Sequence, residues 1–264
     1  MSGRIALGLR YRGSAYRGWQ SQTDGRTVQD ALQRALSQFA DRPVTVICAG
    51  RTDAGVHGLN QVVHLDPGVQ RLPASWVRGG NRYLPNDIAI QWCVPVSGEF
   101  HARFSAVSRR YRYLLFESPV RPSIDVGLVG WSFRPLDAQA MQLAAQCLIG
   151  EHDFSSLRSA ECQATSPVKT LHSIRINRQG SHWCYDFHGN AFLHHMIRNL
   201  MGCLVAIGSG AKAPAWMAEV LLARDRKLAA PTFAADGLYF VGPQYDAVHG
   251  IPEFPPEHAL IGQP

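Results

Sequence analysis

Residues 4–11 alternate, with Ile5, Leu7, Leu9 and Tyr11 on one side of an extended chain, which predicts a half-buried strand. Thr27 with Asp30 then has the form of a capping box, and Val28, Ala31, Leu32, Ala35, Leu36 and Phe39 recur at helical spacing. Residues 44–49 and 59–66 read as two further strands, 73–83 as a second helix and 87–96 as a strand. The first half therefore predicts the order β-α-β-β-α-β.

Residues 100–116 read as a long extended segment. Asp137 caps a helix whose Met141, Leu143, Ala144, Cys147 and Leu148 are expected to face inward, with Gly150 ending it. Residues 171–177 and 182–188 flank Gln179, Gly180 and Ser181 as a hairpin, 192–207 is a strongly apolar helix, Pro214 opens another helix, and 238–241 is a last short strand. The second half thus repeats the first with one extra helix. The expected fold is α+β, two tandem ferredoxin-like (RRM-like) β-α-β-β-α-β units forming a mainly antiparallel sheet flanked by helices. Expected boundaries are 1–100, 101–245 and a surface tail over 246–264 that contains Pro252, Pro255, Pro256 and Pro264.

Composition narrows the class. At 264 residues the chain can bury an adequate core, and no apolar run approaches the roughly 20 residues of a membrane span. The N-terminus lacks the long apolar core of a signal peptide, so a cytoplasmic location is expected. The net charge is +6, and with lysine only at 169, 212 and 227, arginines make up 23 of the 26 basic residues. Arginine forks suit phosphates and stacked bases, which points to RNA, although a GC-rich genome gives the same bias. The six cysteines include no Cys-x-x-Cys pair, against a zinc ribbon or redox dithiol.

Three segments carry candidate chemistry. Between two predicted strands lies Ala49-Gly50-Arg51-Thr52-Asp53-Ala54-Gly55-Val56-His57-Gly58, whose three glycines let the backbone approach a ligand and leave one arginine and one carboxylate at the tip. An ordinary turn, with Asp53 accepting hydrogen bonds from its own loop, is the alternative on these residues alone. The apolar helix region carries Asn190, His194, His195, Arg198 and Asn199; a buried Arg198 needs an anionic partner to offset its desolvation, and Asp53 is a candidate. Its adjacent histidines do not have the spacing of a helical metal motif. Along residues 104–113, Arg110 and Arg112 would share one strand face and Arg109, Tyr111 and Tyr113 the other, mixing phosphate contacts with a phenol. A sheet edge protected by charge gives the same pattern.

Taken together, these segments resemble the pseudouridine synthase A family, the tRNA-uridine isomerases acting on positions 38 to 40 of the anticodon arm. The residues that carry the resemblance are Gly13-Ser14-Ala15-Tyr16-Arg17-Gly18-Trp19-Gln20, Gly50-Arg51-Thr52-Asp53-Ala54-Gly55-Val56-His57 and Asn81-Arg82-Tyr83-Leu84-Pro85. In the same order follow Arg109-Arg110-Tyr111-Arg112-Tyr113, then Asn190 to Asn199, then Gly237-Leu238-Tyr239. Arg12 departs from the pattern, which usually has an acidic residue there; this bears on local RNA contacts.

The resemblance implies a reaction that cuts the bond from ribose to uracil N1, turns the base and rejoins it through C5. No atom is gained or lost, so no metal and no small-molecule cofactor is expected. It assigns Asp53 as the essential carboxylate, nucleophile at the sugar or base on it, and Arg198 as the cation that keeps it ionised. Arg51 helps displace the target base, Tyr111 packs on the uracil and handles the C5 proton, and Leu238 forms an apolar floor. Thr52, His57, Arg109, Arg110 and Asn199 are the remaining expected RNA contacts. The implied partners are tRNA and a second copy of the chain, one tRNA spanning a homodimer, with no membrane. A non-catalytic RNA-binding protein on the same sheet is the competing class, but it would have no need of Asp53 or the Tyr111 phenol. An acid hydrolase built on Asp53 would need a second carboxylate motif.

Overall fold

A computed structural model describes residues 3–253; Pro255, Pro256 and Pro264 of the expected tail lie outside the described residues. The chain is a mixed α and β protein whose strands pair mostly antiparallel, and it divides into two compact units. Among the described residues the first comprises 3–108 and 239–253, the second 109–238.

In the first unit β1 (Ile5–Tyr11) lies between β4 (Ile88–Pro95) and β3 (His57–Leu65), antiparallel to both. The short β2 (Ile47–Cys48) runs antiparallel to one end of β3, and β10 (Leu238–Tyr245) runs parallel to its other end. The alternation along β1 gives the core face correctly: Ile5, Leu7, Leu9 and Tyr11 join Val28, Leu32, Leu36 and Trp76 in one apolar cluster. The expectation of a half-buried strand fails, because Ala6 on the opposite face is also wholly buried.

Helices α1 (Val28–Ala40) and α2 (Pro73–Tyr83) cover the face that carries Ile5, Leu7, Leu9 and Tyr11. Thr27 caps α1 by accepting from Asp30 N at 3.2 Å, and the Asp30 carboxylate takes the Thr27 hydroxyl and Ser21 Oγ. The helices meet through Phe39 and Trp76, edge to face at 5.1 Å, beside Gly79, where a side chain would collide with the Phe39 ring.

The second unit has the strand order β5 (Ala106–Glu117), β9 (His182–Gly189), β8 (Val168–Gln179), β7 (Gly150–Asp153), all antiparallel, with β6 (Gly130–Ser132) parallel to β5. The hairpin falls where the sequence predicts it, with Gln179 opposite His182 and Gly180 at a positive φ of 58°. Helices α3 (Ala138–Gln146), α4 (Met196–Gly208) and α5 (Trp216–Ala223) complete it. Asp137 caps α3 as expected, but Leu143 is 57% exposed, contrary to its expected inward position. Gly150 does not simply end a helix; it opens β7, which a four-residue length hides from any periodicity. Among the described residues no helix is long and apolar enough to cross a membrane.

One buried histidine makes the first unit sensitive to acid. His64 on β3 is 3% exposed, its Nδ1 accepts from Ala102 N at 3.1 Å, and burial, with Arg4 and His101 nearby, pushes its pKa down to about 4 against the opposing pull of Asp66. The unfolded chain therefore takes up a proton near pH 6.5 that the folded chain refuses until about pH 4. Stability should be full above pH 6.5 and fall through that window by up to about 2 kcal/mol, with His101 shifted in the same direction. Urea unfolding at pH 7 and pH 4.5 checks this: His64→Asn keeps an acceptor for Ala102 N but does not titrate, and should flatten the slope.

Candidate active site

The loop between β2 and β3 is displayed by a sheet that ends abruptly. Ala49 N donates to Val62 O at 2.8 Å, and there the ladder stops. The buried Gln61 side chain takes over: its Nε2 donates to Gly50 O at 2.6 Å and its Oε1 accepts from Gly50 N at 3.3 Å. Two residues on, Thr52 turns inward, its hydroxyl bonded to the Tyr11 phenol at 2.8 Å and its carbonyl accepting from Trp19 N at 2.9 Å. Burial raises the Tyr11 pKa well above the ordinary phenol value, so this link stays neutral. Val56 N donates to Asp53 O at 3.1 Å and closes the turn. Asp53 is left half-buried at the tip between exposed Arg51 and exposed Ala54.

The far end of the loop is held by His57, which is 2% exposed. Its Nδ1 accepts from Gly13 N at 3.1 Å and its ring stacks on Tyr239 at 4.6 Å. Two glycines outside the loop make the fit possible. A Cβ on Gly13 would lie 1.9 Å from Val56 O; one on Gly18, whose φ is +87°, would lie 2.7 Å from Thr52 O and 3.1 Å from Ala54 N.

In the second unit Arg109, Arg110 and Tyr111 sit half-buried on β5. Tyr111 pairs across the sheet with Phe187 and meets Phe192 edge to face at 5.1 Å. Arg109 Nη1 donates to Asn190 O at 2.9 Å, and Asn190 is fixed in turn to the Thr170 backbone through its own N and its Oδ1. The helix expected from 192 begins at Met196, because His195 adopts a left-handed φ of 62° and turns the chain before the first helical residue. Arg198 lies in the first turn of α4, half-buried rather than deeply buried, with Nε donating to Phe233 O at 2.9 Å. Leu238 is 5% exposed at the head of β10.

Three residues expected to touch RNA are buried. Thr52 Oγ1 is bonded to the Tyr11 phenol and His57 Nδ1 to Gly13 N, partners that lie outside the loop. Asn199 is wholly buried, with Nδ2 donating to Leu157 O and Oδ1 accepting from Thr232 Oγ1 at 2.7 Å and Arg226 Nη2 at 3.0 Å. Arg112, expected beside Arg110 on a phosphate-binding face, is buried and grips Asp186 two-pronged at 2.7 and 3.2 Å. Sequence reasoning missed Tyr11, Gln61 and Gly18 as the frame of the Asp53 loop. Only Gly18 gave a signal, a glycine in a segment with no strand or helix period to explain it.

Gly18→Ala should destabilise the protein by roughly 2 to 4 kcal/mol, combining left-handed strain with the clash on Thr52 O. Gly25→Ala is the control, since its φ is +64° but its Cβ would meet only Arg34 Nη1 at 3.6 Å; it should cost about 1 to 2 kcal/mol. Equal losses in urea unfolding would mean that residue 18 does not support the loop.

Comparison with known proteins adds identity to this geometry. A model of the tRNA pseudouridine synthase family matches residues 9–105 and 144–246. A protein of Methylibium petroleiphilum named tRNA pseudouridine synthase A is 68% identical over 253 residues, covering 96% of this chain and 97% of the relative. Relatives with the same name from Variovorax paradoxus and Polaromonas naphthalenivorans are 62% and 61% identical, covering 94% of this chain and 94% and 96% of their own. Among solved structures, the Cbf5-Nop10-Gar1 complex includes a chain that superposes with a TM-score of 0.37 at 11% identity, over 76% of this chain and 45% of that one, too distant to bear on the site. The chain belongs to the tRNA pseudouridine synthase family.

Proposed function

We propose that this protein isomerises uridine to pseudouridine at positions 38, 39 and 40 of the tRNA anticodon stem-loop, with Asp53 as its essential carboxylate. The activity itself, uridine isomerisation in the anticodon stem-loop, follows from the family. The observation that carries it is 68% identity along 97% of a relative named tRNA pseudouridine synthase A. What supports Asp53 is the loop: its neighbours on both sides are tied to the sheet and to the segment around Gly13 to Trp19, and the carboxylate stands at the tip of that fixed turn.

The product keeps every atom of the substrate, so three tasks suffice: acting on the sugar, holding the detached uracil, and removing the C5 proton. Asp53 performs the first in its ionised form, as nucleophile or as base. Arg198 is the cation that favours that form. Tyr111 covers the uracil and handles the proton, Leu238 gives the base an apolar floor, and Arg51 helps to displace it from the stack, which costs on the order of a few kcal/mol. Arg109 and Arg110 contact the RNA backbone. The enzyme works in the cytoplasm as a homodimer spanned by one tRNA. Its two units are ferredoxin-like; in the first, the strand order β4-β1-β3-β2 with two covering helices supports this.

The reading is tested by incubating the protein with unmodified tRNA transcripts, without added cofactor, and mapping pseudouridine. Product at none of the three positions would refute it. Asp53→Asn should abolish turnover while tRNA affinity stays within a few fold, because phosphate contacts dominate binding. Arg198→Met should lower turnover and stability, and its stability cost should shrink in the Asp53→Asn background; costs that simply add would remove Arg198 from the mechanism.

Tyr111→Phe separates packing from proton transfer, since the ring stays and only the hydroxyl is lost. Turnover should fall at least 100-fold with tRNA affinity nearly unchanged, in line with the usual contribution of a general base. Near-normal turnover would reduce Tyr111 to a stacking surface.

A further inference from the structure

Residues 100–105 form one of the most thoroughly pinned loops of the first unit. Phe100 O accepts from Arg4 Nη1 at 2.9 Å, Ala102 O from the Tyr245 phenol at 2.6 Å, and Ala102 N donates to His64. His101 closes the turn on itself: its O accepts from Ser105 N at 2.8 Å, its N donates to Ser105 Oγ at 3.0 Å, and its Nδ1 accepts from both Arg103 N and Phe104 N at 3.2 Å.

Out of this rigid turn stands Phe104, 76% exposed. Its ring stacks on the His101 imidazole at 4.3 Å and 29°, and the Arg103 guanidinium lies 5.5 Å from its centroid. A lone exposed aromatic is unremarkable. One held by a stacked neighbour, flanked by a cation and mounted on a loop without slack is already ordered for contact, so little entropy remains to be lost when something packs on it.

This turn lies close to the foot of the Asp53 loop, because Ala102 N is bonded to His64, and His64 lies directly opposite Ile47 of β2, the strand that leads into that loop.

We propose that Phe104 and Arg103 form a nucleotide contact near the Asp53 loop, with a tRNA base packed on the Phe104 ring and a backbone phosphate held by Arg103. This rests on the tRNA reading above. Base stacking on an aromatic ring is tolerant of sequence, so the contact serves affinity and positioning and does not select a base. Phe104 is a positioning residue; the reacting uridine belongs to Asp53.

The experiment measures binding of unmodified tRNA transcript to the full-length protein across a salt series, together with single-turnover rates at saturating enzyme. Phe104→Ala should weaken binding on the order of tenfold or more at fixed salt. Phe104→Tyr should bind like the parent, and Phe104→Leu like the alanine variant. Arg103→Gln should weaken binding and reduce the slope of log affinity against log salt by about 0.7 to 0.9. The rate at saturation should also fall in Phe104→Ala, because a contact that positions the RNA favours the extruded uridine over the stacked one. Because Phe104 is exposed, thermal unfolding of its variants should match the parent. Parent-like affinity of Phe104→Ala, or of Phe104→Leu, overturns the stacking contact, and an unchanged salt slope in Arg103→Gln overturns the phosphate contact. Failure of the parent protein itself to modify tRNA would be a failure of the functional reading, seen separately in the same series.

Discussion

A loop can hold a side chain at a fixed place on its tip only if its own peptide groups are themselves held, and the first unit is arranged around that constraint. Residues 50–56 lie beyond the ladder of β2 and β3. Gln61 replaces the missing strand at Gly50, Trp19 N serves Thr52 O, Tyr16 O receives Gly55 N, and His57 reaches Gly13. Each partner lies on an element set by the core, so helix α1, strand β1 and the turn between them define where Asp53 stands. Amides left without partners at this depth would cost about 1 to 3 kcal/mol each, comparable to a sizeable part of the stability of such a unit.

The legible part of this arrangement was the part with a period or a composition. Residues 4–11, 73–83 and the hairpin at Gly180 announced themselves through alternation, helical spacing and turn chemistry, and three glycines announced the loop. What sequence could not give was the direction of side chains outside periodic segments. Thr52 and His57 look like ligand groups in a glycine-rich loop, yet Thr52 is 7% and His57 2% exposed, because the segment around Gly13 to Trp19, more than thirty residues earlier in the chain, packs onto them. Asn199 is buried in the same way, by partners distant in the chain on residues 157, 226 and 232. β6 and β7, of three and four residues, are too short to carry a period.

Arginine content had a similar ambiguity, and the structure divides it. Arg4 pairs with Asp66, Arg112 with Asp186 and Arg178 with Glu117, each at 2.7 or 2.8 Å. The Arg112 pair joins directly opposed positions of β5 and β9, where both charges replace solvent with each other. Such arginines serve the fold, so the count of 23 arginines overstates what a polyanion can reach, while the net charge of +6 already has these pairs cancelled. The bias towards arginine has therefore two physical causes within one chain, planar pairing inside and exposed cations such as Arg51 and Arg103 outside.

Rigidity around Asp53 determines where the work of the reaction must come from. A loop held at Gly50, Thr52, Val56 and His57 has little freedom to reach for its target. With Asp53 in its proposed role, a uridine in a stem or stacked loop must come to the carboxylate, and extruding it costs on the order of a few kcal/mol before any bond breaks. That cost can be met only by contacts to parts of the RNA that do not react, which favour the distorted substrate over the relaxed one. Contacts suited to this share two properties: they do not depend on base identity, and they are fixed before the RNA arrives. An arginine on a phosphate and an aromatic ring on a pinned turn both meet them, so an enzyme that accepts uridines in several sequence settings has reason to keep its catalytic loop and its remote contacts equally stiff.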